Sequence, residues 1–193
     1  MLVVLIVRYH RTQLGRERIY NLIKSSSSDN MTRILICYYS KSGTTEKMAK
    51  NILDGIENSK ADVEVDLTRV GDAEVESLVD YDALIIGSPT YYGLPSAEIK
   101  EFIDESIKHH GDLDGMVGGA FSSSANPAGG NETTIVGLLE ALLIHGMIVK
   151  GSSKGDHYGP VVIGKPDEDE LKQCRRYGEW MAEFVDDVRN RTE

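Results

Sequence analysis

The join between residues 39 and 40 limits the fold of this chain more than any other feature. Ile34-Leu35-Ile36-Cys37-Tyr38-Tyr39 is a nearly continuous apolar run that gives way abruptly to Ser40-Lys41-Ser42-Gly43-Thr44-Thr45. A short apolar run without alternation is the mark of a strand covered on both faces, as in a parallel sheet. From Thr44 to about Asn58 the pattern changes. Met48, Ile52, Leu53 and Ile56 form an apolar stripe among charges, so a helix follows the loop directly.

The unit recurs. Val63 to Leu67 reads as a second strand, followed by a short acidic segment, a strand at Ala83 to Ile86, and a helix from Pro95 to about His109 with the proline in its first turn. A strand at Met116 to Phe121 leads through a glycine-rich loop to a helix at about Glu132 to Ile144 and a strand at Met147 to Val149. The last helix, about Glu168 to Val188, repeats Leu171, Cys174, Gly178, Met181, Val185 and Val188 at spacings of three and four, which gives it one buried face. Alternating strands and helices with short connections imply right-handed crossovers. The expectation is a doubly wound α/β domain, a five-stranded parallel sheet of order 2-1-3-4-5 with helices on both faces. Ligands of such sheets sit beyond the carboxyl ends of the strands, at the switch point between strands one and three.

A chain of 193 residues suits one such domain. Residues 1–30 stand apart from it. Met1 to Val7 is apolar but far short of the roughly 20 residues of a membrane-spanning helix. Arg8, His10 and Arg11 follow that run rather than precede it, against the order of an export signal. Ser25 to Asn30 has the composition of a polar linker, and Met31 stands just before the first strand. The reading is therefore an extension over 1–30, poorly ordered or a misassigned start, and a folded domain over 31–193.

The formal charge is −10, and residues 31–193, with 16 basic and 29 acidic side chains, carry −13. Such a surface repels nucleic-acid backbones and suits basic partners. Cys37 and Cys174 form no CxxC pair and no metal-spaced set with histidine, so both read as small buried hydrophobes in a protein of a reducing compartment, by default the cytoplasm. His109-His110, adjacent on a helix and followed by Gly111, reads as a helix end and not as a metal site.

Three loops should meet at the carboxyl edge. Ser40 to Thr45 joins a strand to a helix N-terminus, where free backbone N–H groups and the helix dipole favour an anion. Hydroxyls at Ser40, Ser42, Thr44 and Thr45 add donors, and Gly43 permits a tight turn. Neither a Walker A loop nor a Gly-x-Gly-x-x-Gly fingerprint occurs anywhere in the chain. After the third strand, Pro89-Thr90-Tyr91-Tyr92-Gly93 supplies aromatic rings that could cover a flat ligand. After the fourth, Ser122-Ser123-Ser124-Ala125-Asn126-Pro127-Ala128-Gly129-Gly130 has small side chains that let the backbone come close to one.

The first loop, with Glu46 after it, resembles the flavodoxin phosphate signature, Thr/Ser-x-Thr-Gly-x-Thr and Glu. Gly87-Ser88-Pro89-Thr90, Phe121-Ser122-Ser123, Gly130-Asn131-Glu132, His145-Gly146-Met147 and Tyr158-Gly159 extend the likeness to the WrbA-type NAD(P)H:quinone oxidoreductases over about residues 33–188. The resemblance implies a flavodoxin-like fold and FMN contacts at Ser40 to Thr45, Thr90 to Gly93, Ser122 to Gly130 and His145. It also implies NADH or NADPH as transient co-substrate, a quinone or similar acceptor, and a homodimer or homotetramer. No protein nucleophile, acid or base is required, because the flavin does the chemistry. The chain departs from the family at Ser42, where the family has an aromatic, in a fourth loop poorer in glycine, and in shorter segments between strands two and three and just before strand four. A flavodoxin-type electron carrier is the alternative that the acidic body favours.

Overall fold

A computed structural model describes residues 31–192. The expectations for residues 1–30 lie outside the described residues.

Strand β1 (Thr32–Tyr38) occupies the middle of the sheet, flanked by β2 (Val63–Arg69) and β3 (Ala83–Pro89). Its side chains alternate between two cores. Ile34, Ile36 and Tyr38 pack against Met48, Ile52 and Ile56 of helix α1 (Thr44–Glu57) and against Cys174, Met181 and Val185 of the last helix, α4 (Glu168–Thr192). Leu35 and Cys37 face Ile99 and Phe102 of α2 (Ala97–Glu105) and Ile135, Leu138 and Leu142 of α3 (Asn131–Ile144). The continuous apolar run of the sequence is thus two interleaved faces, each covered by its own helix pair, as the doubly wound arrangement requires.

The strand order is β2-β1-β3-β4-β5, all parallel. Strand β4 (Val117–Ser124) runs three residues beyond the expected end at Phe121. Those three residues gain a partner that the sequence reading missed. The fifth sheet position is filled twice, by β5 (Ile148–Val149) beside Val117 and Gly118, and by β6 (Val161–Ile163) beside Ser122 to Ser124. Residues 150–160 leave the sheet between them.

The second helix also starts later than expected. Pro95 precedes it, and Ser96 is its N-cap, accepting from the Ile99 N–H at 3.4 Å. After Glu105 it tightens into a 3₁₀ turn, Ser106–His109. The acidic segment between β2 and β3 forms two further 3₁₀ turns, Val70–Asp72 and Val75–Asp80. No helix among the described residues is long and apolar enough to cross a membrane.

Candidate functional site

Hydrogen bonds draw the three loops together at the carboxyl edge. The Thr45 hydroxyl meets that of Ser123 at 3.0 Å, joining α1 to β4 in a buried contact. The Thr90 hydroxyl lies 3.0 Å from that of Ser122, and the Thr90 N–H donates to the Ser123 carbonyl at 2.7 Å. The Thr133 hydroxyl bridges the carbonyl oxygens of Gly93 and Gly130, at 2.9 and 2.8 Å. A side chain at Gly130 would strike the Cα of Gly93 at 2.6 Å, so the third and fourth loops touch through bare backbone.

The first loop is a backbone cradle. Ser40 is buried, and its hydroxyl accepts the Gly43 N–H at 3.1 Å. Gly43, at φ +90°, turns the chain into α1, and the N–H groups of the first helical turn have no intrahelical acceptor. The Thr44 hydroxyl donates to the Gly164 carbonyl at 3.3 Å and that of Thr45 is paired with Ser123, so these two shape the loop. Lys41 and Ser42 are exposed beside them.

Opposite the cradle, Tyr91-Tyr92-Gly93-Leu94 closes a two-residue hairpin, with Tyr91 and Leu94 exchanging backbone hydrogen bonds at 2.9 and 3.1 Å. Both central residues have positive φ, 53° at Tyr92 and 77° at Gly93, the geometry of a type I′ turn, whose favoured first residue is asparagine. Tyr92 is fully exposed at the tip. Among the described residues the only other non-glycine with positive φ is Ala128, in the fourth loop. Strain confined to two facing loops marks a place where conformation serves something other than stability. Tyr91 is partly covered, and burial together with the nearby Glu98 carboxylate holds its hydroxyl above the ordinary tyrosine range. Its neighbour Tyr39 is raised mainly by a hydrogen bond to Glu98.

His145 does not join this cluster. Helix α3 leaves the carboxyl edge at Asn131 and returns over 14 residues, about 21 Å, to the amino edge. There Gly146 accepts from the Gly115 N–H and β5 pairs with the first residues of β4. His145 is buried, with Nε2 2.8 Å from the Ser106 hydroxyl, which itself donates to the Ile103 carbonyl. Ser106 therefore accepts, the ring proton is on Nε2, and Nδ1 is buried without a partner. Helix α3 thus sets His145 at the opposite edge of the sheet from the cradle of its own chain. His157 is exposed in the 150–160 excursion, its Nδ1 2.8 Å from the Ser152 carbonyl.

One contributor was missed. Arg69 ends β2, and its guanidinium donates to the Ser40 carbonyl at 2.7 Å and lies 3.4 Å from Glu46. Nothing in the sequence pattern alone ties it to the first loop; the link is the strand register, which sets Arg69 beside Tyr38. The cysteines supply no nucleophile, since burial pushes both thiols up to about 12.

A phosphate cradle at a helix N-terminus, facing a slot bordered by aromatic and glycine-rich loops, suits a ligand that joins a phosphate to a flat ring, and FMN fits that description. Residues 35–140 match the family described as Flavodoxin domain. The chain belongs to that family. A flavodoxin of Aquifex aeolicus is 38% identical over 168 residues, covering 81% of this chain and 90% of its own length. An Archaeoglobus fulgidus protein named NAD(P)H dehydrogenase (quinone) is 34% identical, covering 81% and 98%. Among solved structures, a WrbA-like flavodoxin from Agrobacterium tumefaciens superposes with a TM-score of 0.68 at 28% identity, covering 80% of this chain and 97% of its own. The WrbA-type resemblance of the sequence is thus borne out beside an equally clear likeness to flavodoxins.

Proposed function

We propose that residues 31–193 form an FMN-binding oxidoreductase of the cytoplasm that takes two electrons from NADH or NADPH and delivers them to a quinone or similar acceptor. The observation that carries this reading is the convergence of the Ser40–Thr45 cradle with the strained loops at Tyr92 and Ala128. Relatives named NAD(P)H dehydrogenase (quinone) support the choice of reaction. The balance is simple: NAD(P)H and a proton reduce the quinone to the quinol and leave NAD(P)⁺.

When bound, FMN supplies the hydride-accepting and electron-donating centre. The protein's own part is to bind, orient and screen it. Backbone N–H groups at Ser42 and over Thr44 to Glu46 would hold the phosphate. Thr90 to Gly93 and Ser122 to Gly130 border the ring, with Pro89 stiffening the approach to the third loop and Ala125, Asn126 and Gly129 offering backbone at its edge. The exposed Tyr92 ring is free to cover one side. A homodimer or homotetramer belongs to the same reading, and Ile107, Leu143, Ile144 and Ile148, exposed along the amino edge, offer it a surface.

The alternative is a one-electron carrier that docks a redox partner protein, favoured by the −13 body and by relatives named flavodoxin. An anaerobic visible spectrum of the FMN-loaded protein separates the two. The oxidoreductase reading expects bleaching by NADPH or NADH and recovery of the yellow form on adding quinone. A spectrum that ignores both nucleotides yet bleaches with dithionite would overturn it in favour of the carrier.

A further inference from the structure

A cradle built from main-chain N–H groups binds well only if the loop is already in the binding conformation, because ordering it on arrival of the ligand subtracts from affinity. In the first loop that conformation pivots on Ser40. Its hydroxyl holds Gly43 from inside the loop, and its carbonyl is held from outside by Arg69 Nη2 at 2.7 Å. The other limb of the same guanidinium, Nη1, lies 3.4 Å from Glu46 Oε2 in the first turn of α1. The planar fork therefore ties the residue that opens the loop to the helix turn that closes it. Strand pairing delivers Arg69 opposite Tyr38, and its guanidinium stands over that ring at 5.8 Å.

The charge matters as well. Glu46 sits in the turn that would receive an anion, and its carboxyl is held below the usual range chiefly by a hydrogen bond from Lys50, at 2.7 Å, with Arg69 contributing. Arg69 thus reduces the repulsion that Glu46 would exert on a phosphate, in a body of strongly negative charge.

Resting on the FMN reading above, we propose that Arg69 is a positioning residue for the flavin phosphate. It acts through the Ser40 carbonyl and the Glu46 carboxylate and does not itself need to touch the cofactor.

The test compares FMN with riboflavin, which differs only in lacking the phosphate. Dissociation constants of both are measured by flavin fluorescence for the flavin-free full chain and for Arg69→Gln and Arg69→Lys. Arg69→Gln is expected to weaken FMN about tenfold while moving riboflavin less than about twofold. Arg69→Lys keeps the charge but reaches only one of the two partners, so its FMN loss should be about threefold. Inorganic phosphate should compete with FMN on the unsubstituted chain and do so more weakly on Arg69→Gln. Equal weakening of both flavins would mean a general structural role, and no weakening would mean none; either overturns the inference. Should Arg69→Gln fail to fold, as seen by its thermal transition, the Arg69→Lys ratio decides alone. An unsubstituted chain that does not prefer FMN to riboflavin would overturn the phosphate reading itself, a result visible before any substitution is made.

Discussion

At the carboxyl edge of the sheet the buried polar side chains include the hydroxyls of Ser40, Thr45, Ser88, Ser122, Ser123 and Ser124, while at the amino edge a nearly covered ion pair accompanies the buried Thr32, Ser106 and His145. The Arg189 guanidinium stands 3.2 Å from the Asp82 carboxylate, both nearly covered, and Asp82 also accepts the Arg33 N–H at 2.9 Å, so β1, β3 and α4 are locked at their common end. The carboxyl edge is joined differently: hydroxyl pairs link Thr45 to Ser123 and Thr90 to Ser122, the Arg69 guanidinium holds the Ser40 carbonyl, the backbone is strained at Tyr92 and Ala128, and a tyrosine ring stands in water. One end of the sheet carries a nearly covered ion pair and the other the strained loops of the proposed site, so damage to each should be read by a different instrument.

Asp82→Ala tests the lock. It leaves Arg189 without that carboxylate in a nearly covered position, and urea denaturation should show a loss of about 3 kcal/mol. FMN affinity of the folded fraction should be unchanged. A large affinity loss with little destabilisation would break the comparison.

His145 sharpens it through pH. Burial, and then the neighbouring His110 and His109, hold its pKa below the ordinary 6.5. The folded state therefore binds its proton less readily than the unfolded chain does. The stability that neutral His145 contributes is complete above about 6.5 and is lost as pH falls towards the lower folded value. Unfolding free energies compared over that acid range should have a shallower slope in His145→Gln, by at most about 1.4 kcal/mol per pH unit, the limit for one proton. Identical slopes would remove His145 from the acid response.

Tyr92→Asn is the smallest in energy. Asparagine suits the first position of the type I′ turn, so the folded protein should gain roughly 0.5–1 kcal/mol. FMN binding should weaken if the proposed cover of the flavin is the Tyr92 ring, which the substitution removes. A variant both more stable and equally tight in FMN would show that the strain at this loop serves no ligand.

Much of this was legible in the sequence because the signals were local. Ile34 to Tyr39 names a covered strand, and Ser40 to Thr45 names a helix-bound anion loop, within a dozen residues of chain. Arg69 was not legible, since its link to Ser40 spans 29 residues and depends on strand register. Strand β6 was missed because three residues after Pro160 carry too little pattern, and only pairing with Ser122 to Ser124 makes them a strand. The place of His145 follows from topology, since a helix that starts at the carboxyl edge ends at the other.

The divided fifth strand has a bearing on how the protein behaves in a crowded cell. A parallel sheet ends in two margins whose unpaired peptide groups can recruit another chain and seed cross-β growth. Here, among the described residues, one margin is broken into pieces of two and three residues with a loop between them, too short to template an incoming strand. The other, β2, turns Glu64 and Asp66 to solvent, so a second copy drawn alongside would meet its own charge. Among the described residues both margins are thus guarded against polymerisation by means that need no bound ligand.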